Sequence, residues 1–481
     1  MKQLFCILLT ICFISFYGCE SKSISQVQNN SNGEAEIAIL AVNDAHGNID
    51  LFPQFAAVVD SLKVVYPELL VFSAGDNRTG NPVNDQYDLV NYPVIELMNK
   101  VGFDASAVGN HEWDANVENL QMNIEQADFP FLCANVFIPS SLNLDIKPYT
   151  IIENQGVKIA VVGMIELRHD GIPGAHPKNL TEVSFKPASE VLPDYKYLRD
   201  ENEIMILLSH CGYEDDMELA EANPYLDAII GGHSHTLVEN PPLVNGVLVS
   251  QSGSHLKYAT LHLFKVKNGK VVEKSAKVLN VKDSRSKNLE IQKMVDDFND
   301  APALNAAIAT AKTKFENREE LACMMTDAMR VVSGADFAFQ NTGGVRVNYL
   351  KKGPITVKDI YSIDPFNNEV IVYTMTGEQV EKFIINSYKK NGRFPSHVSG
   401  MCYEIIKDSC SHGIGVDVKL DKGKFSKKAT YKVAINSYMA STVNIESLDE
   451  GQSQYMTTEE MMIEFLKKQK TVDYQGVSRV K

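Results

Sequence analysis

Residues 105–114 read ASAVGNHEWD. A short apolar run stops at a glycine and gives way to an amide, an imidazole and two carboxylates around the only tryptophan of the chain. A surface loop does not need a buried strand leading into it, and a core strand does not need this much polar chemistry at its end. The same pattern occurs four more times. EIAILAV (36–42) runs into NDAHG, ELLVFSA (68–74) into GDNRTG, IMILL (204–208) into SHCG, and LDAII (226–230) into GGHSH. Each run has the length and aliphatic character of a strand buried on both faces. In an α/β fold, groups at the carboxyl ends of parallel strands meet at one edge of the sheet. Five polar clusters after five such strands therefore predict a single shared site.

The clusters carry metal-ligand chemistry. Asp44, His46, Asp76, Asn110, His210, His233 and His235 offer carboxylate, amide and imidazole donors with no thiolate among them. That mixture suits Mn, Zn, Fe, Co or Mg better than copper or a structural zinc. Two cations held close together need a shared anionic ligand, and a single aspartate after a glycine is a natural bridge. The glycines of GD, GN and GGH let the backbone turn sharply and approach an ion. Taken alone, His210 reads as a hydrogen-bonded structural histidine and Cys211 as a small buried residue. Five clusters in order make coincidence a poor explanation.

The ordered set NDAHG, GDNRTGNP, GNHE, SHCG and GGHSH resembles that of the calcineurin-like metallophosphoesterases. Its arrangement is similar to that of the 5′-nucleotidases, a group that includes UDP-sugar hydrolases and 2′,3′-cyclic-nucleotide phosphodiesterases. The resemblance runs from about Ile37 to the C-terminal region. It implies an α/β chain: a four-layer αββα metallophosphoesterase sandwich with a second α+β substrate-binding domain. It further implies two divalent metal ions, one on Asp44, His46 and His235, the other on Asn110, His210 and His233, with Asp76 bridging. A hydroxide shared by the ions would attack phosphorus in line with the leaving oxygen. His111 would face the phosphoryl group and stabilise its developing charge, oriented and kept cationic by Asp114. Glu112 acquires no role from the resemblance, and Trp113 reads as packing.

The later segment QNTGGVRVNYLKKGPITVKDIYSIDPFNNEV resembles the substrate-binding domain of the same family. Arg346, after two glycines, can present a planar and always-charged fork to a phosphate, and Asn341 can add a donor. Phe366 and Tyr438 would form the two faces of a nucleobase clamp, with Asn368 reading the base edge. The family's Gly–Gly–Asp turn after that tyrosine is absent. Thr442, Val443 and Asn444 stand there, leaving Asn444 as the candidate for the ribose hydroxyls. The arginine-rich stretch before TDAMR is reduced to Arg318, with Cys323 where asparagine is usual. The expected activity is hydrolysis of nucleoside 5′-monophosphates. Cyclic nucleotides, sugar nucleotides or other phosphoesters are the alternative, and an inactive surface-binding lipoprotein is a more distant one.

Bulk properties bound these readings. The chain has 481 residues, 44% of them hydrophobic, and a formal net charge of −15. That length suits two domains. The acidic balance and lack of a basic stripe argue against a nucleic-acid partner, so the expected partner is a small phosphorylated compound and no nucleic acid is expected. MKQ followed by LFCILLTICFISFY reads as a signal peptide over 1–18, with Cys19 as the candidate lipidated first residue and the only expected tie to a membrane; an ordinary secretory peptide cleaved nearby is the alternative. Export to the periplasm or cell surface follows. A flexible tether is expected over 19–35, the phosphoesterase domain over 36–282, linker helices over 283–314 and the substrate-binding domain over 315–481. The first linker helix carries Ile291, Met294, Val295 and Phe298 at helical spacing, with packing on the first domain as the alternative, and Pro302 starts the second. Cys402 and Cys410 are close enough in sequence for a local disulfide, without fixing a pairing.

Overall fold

The computed structural model describes residues 34–168, 171–390, 392, 394–409, 412–420 and 423–480. The leader, Cys19, most of the tether and Cys410 lie outside them. All five apolar runs form strands: Glu34–Val42, Leu70–Ser73, Ala105–Ala107, Ile204–His210 and Ala228–Gly231. The first three lie side by side and parallel in one six-stranded sheet, extended by Phe131–Leu132 at one end and by the hairpin Tyr258–Lys267 and Lys270–Asn280 at the other. The other two join Val157–Ile165 and Val247–Gln251 as the parallel centre of a second six-stranded sheet.

The sheets stack through Ile37, Ile39, Phe72 and Phe264 of the first and Ile159, Ile206 and Ile230 of the second, all of them buried. Helices Phe52–Val65, Tyr92–Val101 and Val117–Gln126 cover the outer face of the first sheet, and Tyr213–Ala222 covers that of the second. The result is the expected four-layer sandwich. Trp113 is fully buried in the outer core, edge-on to Phe185. Cys133, Cys211 and Cys323 are buried free thiols.

The second half is α+β. A five-stranded mixed sheet runs His397–Ser399, Phe337–Gln340, Thr430–Asn436, Glu369–Thr376 and Gln452–Thr457. It packs against helices Arg318–Ser333 and Gly377–Lys390. Between the halves, the segment expected as linker helices takes the alternative for its first helix and needs correction at its second. Helix Leu289–Asn299 exists, but its Ile291 and Val295 are buried in the core of the first half. The Asn288 N–H donates to the Pro53 carbonyl at 2.8 Å. The second expected helix stops after Pro302–Asn305. Ala307–Ala311 then forms a strand, antiparallel to Gly353–Thr356 and parallel to Thr471–Val472. Pairing on both edges, with Ala309 and Ala311 buried at a period of two, overrides the helical propensity of an alanine-rich run.

Gly163 of the second sheet lies against the Leu132 main chain of the first. A Cβ at Gly163 would stand 2.3 Å from the Leu132 carbonyl oxygen and 2.4 Å from its carbon, both main-chain atoms. Replacing Gly163 with alanine should therefore cost about 1–3 kcal/mol of stability through overpacking, read as a lower urea midpoint. An unchanged midpoint would show slack between the sheets.

Candidate active site

The five strands deliver their polar residues to one place. Three sets of ligand atoms come together there: Asp44, His46 and His235; His46, Asp76 and His111; and Asp76, His210 and His233. His235 Nε2 lies 3.2 Å from Asp44 Oδ1 and 2.9 Å from His46 Nε2. His210 Nε2 lies 3.1 Å from Asp76 Oδ2, and His233 Nδ1 lies 2.9 Å from Asn110 Oδ1. All seven expected ligands are thus neighbours, arranged around Asp76.

The imidazoles are oriented for ligation. His46 Nδ1 donates to the Thr79 carbonyl at 3.0 Å and His210 Nδ1 to the Ala74 carbonyl at 2.6 Å. Each bond sets the tautomer and leaves Nε2 facing the cluster. His210 Nε2 is buried there against the Asp76 carboxylate. Burial, then the charge of His111, holds His46 well below its usual pKa, and burial and His210 bring His233 down to about 4. Both are neutral, as a ligand must be. His210 is the exception: burial disfavours its charge, but Asp76 outweighs that and pushes it up to about 10. A proton there occupies the place of a cation, and the donor set fits divalent metal.

Glu112, buried in the 3-10 turn His111–Trp113, has a clear part. Its carboxylate accepts the N–H groups of Gly109 at 2.6 Å, Asp76 at 2.9 Å and Asn77 at 2.8 Å. It ties the GD loop to the GN loop. The loops also touch directly: a Cβ at Gly109 would lie 2.3 Å from Asp76 Oδ1, so only glycine fits. Asp76 Oδ1 accepts the His111 N–H at 2.8 Å. Asp44, His46, Asp76, His233 and His235 all have positive φ, between +48° and +76°. Such backbone costs of order 1–3 kcal/mol per residue and persists only where surrounding contacts enforce it.

Beside the cluster, Asp114 Oδ2 accepts from His111 Nδ1 at 2.5 Å and from the Thr79 hydroxyl at 2.7 Å. Burial lowers the pKa of His111, but Asp114 and Asp76 outweigh it and the net shift is upward. A cavity of about 430 Å³ opens from here, lined by both halves of the chain. Asn341, Arg346, Phe366, Asn368 and Tyr438 all line it. The Phe366 ring lies nearly parallel to His111, 6.0 Å between centroids, and the Arg346 guanidinium stands 5.6 Å from the Phe366 ring centre. Asn341 Oδ1 accepts from Asn436 at 3.0 Å, and Asn368 Oδ1 from the Ser437 hydroxyl at 3.1 Å.

Asn444 is a correction. After Tyr438 the chain continues as the helix Ser437–Thr442, which carries Asn444 off the cavity lining. It is exposed, and its carbonyl accepts from Asn386 at 2.9 Å.

Several residues at the site escaped the sequence reading. Arg78, His176 and Lys178 line the cavity, and Arg168 donates to the Tyr438 hydroxyl at 2.7 Å. The ring of His255 stands 5.2 Å from His46 and 6.1 Å from His235. Glu166 Oε1 accepts the Gly174 N–H at 2.5 Å, and the Gly174 carbonyl takes the Asn110 amide at 3.4 Å. Burial pushes Glu166 up to about 7. Two of these were legible: Glu166 follows the apolar run VKIAVVGMI, and His255 closely follows VLVSQ, the same strand-end pattern as the other five.

Comparison with known proteins agrees with this geometry. Residues 37–237 match the calcineurin-like phosphoesterase family, and residues 300–445 match the 5′-nucleotidase C-terminal domain. Protein UshA of Yersinia enterocolitica is 30% identical over 477 residues, covering 84% of this chain and 85% of UshA. A 5′-nucleotidase of Vibrio cholerae is 26% identical, covering 89% and 88%. The crystal structure of a 5′-nucleotidase precursor from Thermus thermophilus superposes with a TM-score of 0.80 at 23% identity, covering 93% of this chain and 99% of that one, and so shares its fold.

Replacing Glu112 with glutamine removes one acceptor oxygen and aims an amide N–H at a backbone donor. Bound metal per chain, measured by elemental analysis, should fall together with turnover, by roughly 10–100-fold in metal affinity or activity. Full metal content at wild-type rate would show that the loops hold their shape without this carboxylate.

Proposed function

The chain belongs to the 5′-nucleotidase family of calcineurin-like phosphoesterases, and on that footing we propose that it hydrolyses nucleoside 5′-monophosphates to nucleoside and phosphate. It is a metal-dependent phosphoester hydrolase. The observation that carries the finer reading is the one cavity in which Asp76, Asn110, His233 and His235 of the ligand cluster, the His111–Asp114 pair, Arg346 and Phe366 all meet.

Asp44, His46 and His235 would hold one divalent cation and Asn110, His210 and His233 a second, with Asp76 shared. Such cations, when bound, supply an acidified water and charge neutralisation at the phosphoryl oxygens. The protein's own residues do the rest. Asp114 fixes the His111 ring through Nδ1, so that the opposite nitrogen keeps a proton for charge developing on phosphoryl or leaving oxygen. Arg346 presents its fork to the phosphate. Phe366, close to both His111 and Arg346, offers a face on which a base stacks next to the reacting group. Asn341, Asn368 and Tyr438 complete the cavity wall around the nucleoside.

One observation favours a second reading, a cyclic-nucleotide phosphodiesterase, sugar-nucleotide hydrolase or other phosphoester hydrolase. Asn444 lies off the lining, so the ribose lacks the partner expected after Tyr438. The leader over 1–18 and Cys19 support export with a lipid anchor; both lie outside the described residues. Among the described residues no helix is long and apolar enough to cross a membrane.

Phosphate release by the purified protein with Mn or Zn, compared across AMP, UDP-glucose, 2′,3′-cyclic AMP and bis-p-nitrophenyl phosphate, separates the two readings. AMP is expected to turn over best, with Asp76→Asn inactive and short of metal. A preference for the diester or sugar nucleotide would establish the second reading. Phe366→Ala should raise KM for AMP roughly tenfold or more, as loss of base–aromatic stacking implies, and leave KM for p-nitrophenyl phosphate nearly unchanged. An equal effect on both would remove the base clamp.

A further inference from the structure

Behind the cavity wall that carries Phe366 sit two carboxyl groups with no solvent exposure. They are Asp364, which follows the helix Val357–Ile363, and Glu459, in the first turn of the helix Thr458–Gln469. Asp364 Oδ1 accepts the N–H of Phe366 at 3.2 Å, and Glu459 Oε1 accepts the N–H of Asn367 at 2.8 Å. The Thr458 hydroxyl lies between them, 2.6 Å from Asp364 Oδ2 and 3.2 Å from Glu459 Oε2. Asn367 itself holds a φ of +52°. Two carboxyls from separate helices thus grip consecutive N–H groups of the loop that displays the aromatic ring.

Neither carboxyl is needed to start or stop a helix. Thr457 and Glu460 already form a complete capping box on Thr458–Gln469. The helix Val357–Ile363 ends through a main-chain bond from the Asp364 N–H to Ile360. Two fully buried carboxyls that accept from the same hydroxyl disfavour double ionisation, so retention of a proton by the pair is favoured. Of the charged groups around it, Arg346 favours ionised Asp364, and Tyr361 lies within electrostatic reach of both Glu459 and Glu460.

We infer that Asp364 and Glu459 are positioning residues for nucleotide recognition: a proton-sharing acid pair whose carboxyls hold the Phe366 ring in its stacking pose. This inference rests on the base-clamp reading of Phe366. Burial pushes Asp364 up to about 6, and burial and Asp364 together hold Glu459 well above the usual carboxylate range. Both shifts are upward, so the fold favours the protonated forms and order is lost as pH rises. Ionisation of Asp364 leaves one proton in the pair. Loss of that last proton, at a higher pH than the first, sets two charges against each other and frees the loop.

The test is the ratio of KM for AMP to KM for p-nitrophenyl phosphate, followed from neutral to alkaline pH in the metal-loaded enzyme. Taking the ratio cancels pH effects on the metals and on His111, which both substrates share. In the wild type the ratio should climb with pH. Glu459→Gln keeps an oxygen for Asn367 and offers a fixed N–H where the shared proton was, so its ratio should stay at the neutral wild-type value throughout. Glu459→Ala should raise the ratio at every pH by roughly the tenfold expected from lost stacking, with kcat for p-nitrophenyl phosphate unchanged. A pH-independent wild-type ratio, an alkaline climb that survives Glu459→Gln, or equal effects of Glu459→Ala on both substrates would overturn the inference. Should Glu459→Ala not fold, Glu459→Gln decides alone. A ratio indifferent to Phe366→Ala would instead bring down the clamp itself, so the two failures are told apart.

Discussion

The site depends on a carboxylate that touches neither substrate nor, on the proposed assignment, metal. Buried backbone N–H groups must find acceptors, and the sharp turns after Leu70–Ser73 and Ala105–Ala107 leave three of them pointing inward. Glu112 satisfies all three. Without that anchor the two loops would share no rigid frame, and Asp76 could not stand midway between two groups of histidines. The order of the cluster is therefore braced by the protein's own hydrogen bonds, which is what a site that must hold charges close together requires.

The architecture was legible because parallel strands buried on both faces read as unbroken aliphatic runs. The ligands were legible because each follows such a run at once, as Asp44 and His46 follow EIAILAV. Glu112 was visible but mute: its partners are main-chain groups, and those of Asp76 and Asn77 lie 36 and 35 residues away. Ala307–Ala311 was misjudged because alanine favours helix until a strand partner competes for its backbone. Asn444 was misplaced because its reach depends on how long the helix after Asn436 continues, and the end of that helix carries no proline or glycine to announce it.

Joining the two halves produces what neither contains. The first half concentrates the metal-ligand chemistry, and the second supplies the guanidinium and the aromatic face. His111 and Phe366 meet across the join. Arg168, from the loop after Val157–Ile165, reaches Tyr438 on the other side. On the proposed reading, affinity for the base and reactivity at phosphorus are carried by different parts of the chain and can be altered separately.

The left-handed backbone at Asp44, His46, Asp76, His233 and His235 has a consequence for the evolvability of this centre. Among residues with a side chain, aspartate, asparagine and histidine enter that conformation most readily. Glutamate and cysteine are equally good metal donors but lack that tolerance. The turns thus restrict the alphabet before coordination chemistry makes its own selection. A lineage drifting toward a softer or harder metal would have to rebuild the loops first, so change at these positions should come as whole-loop replacement rather than as single exchanges.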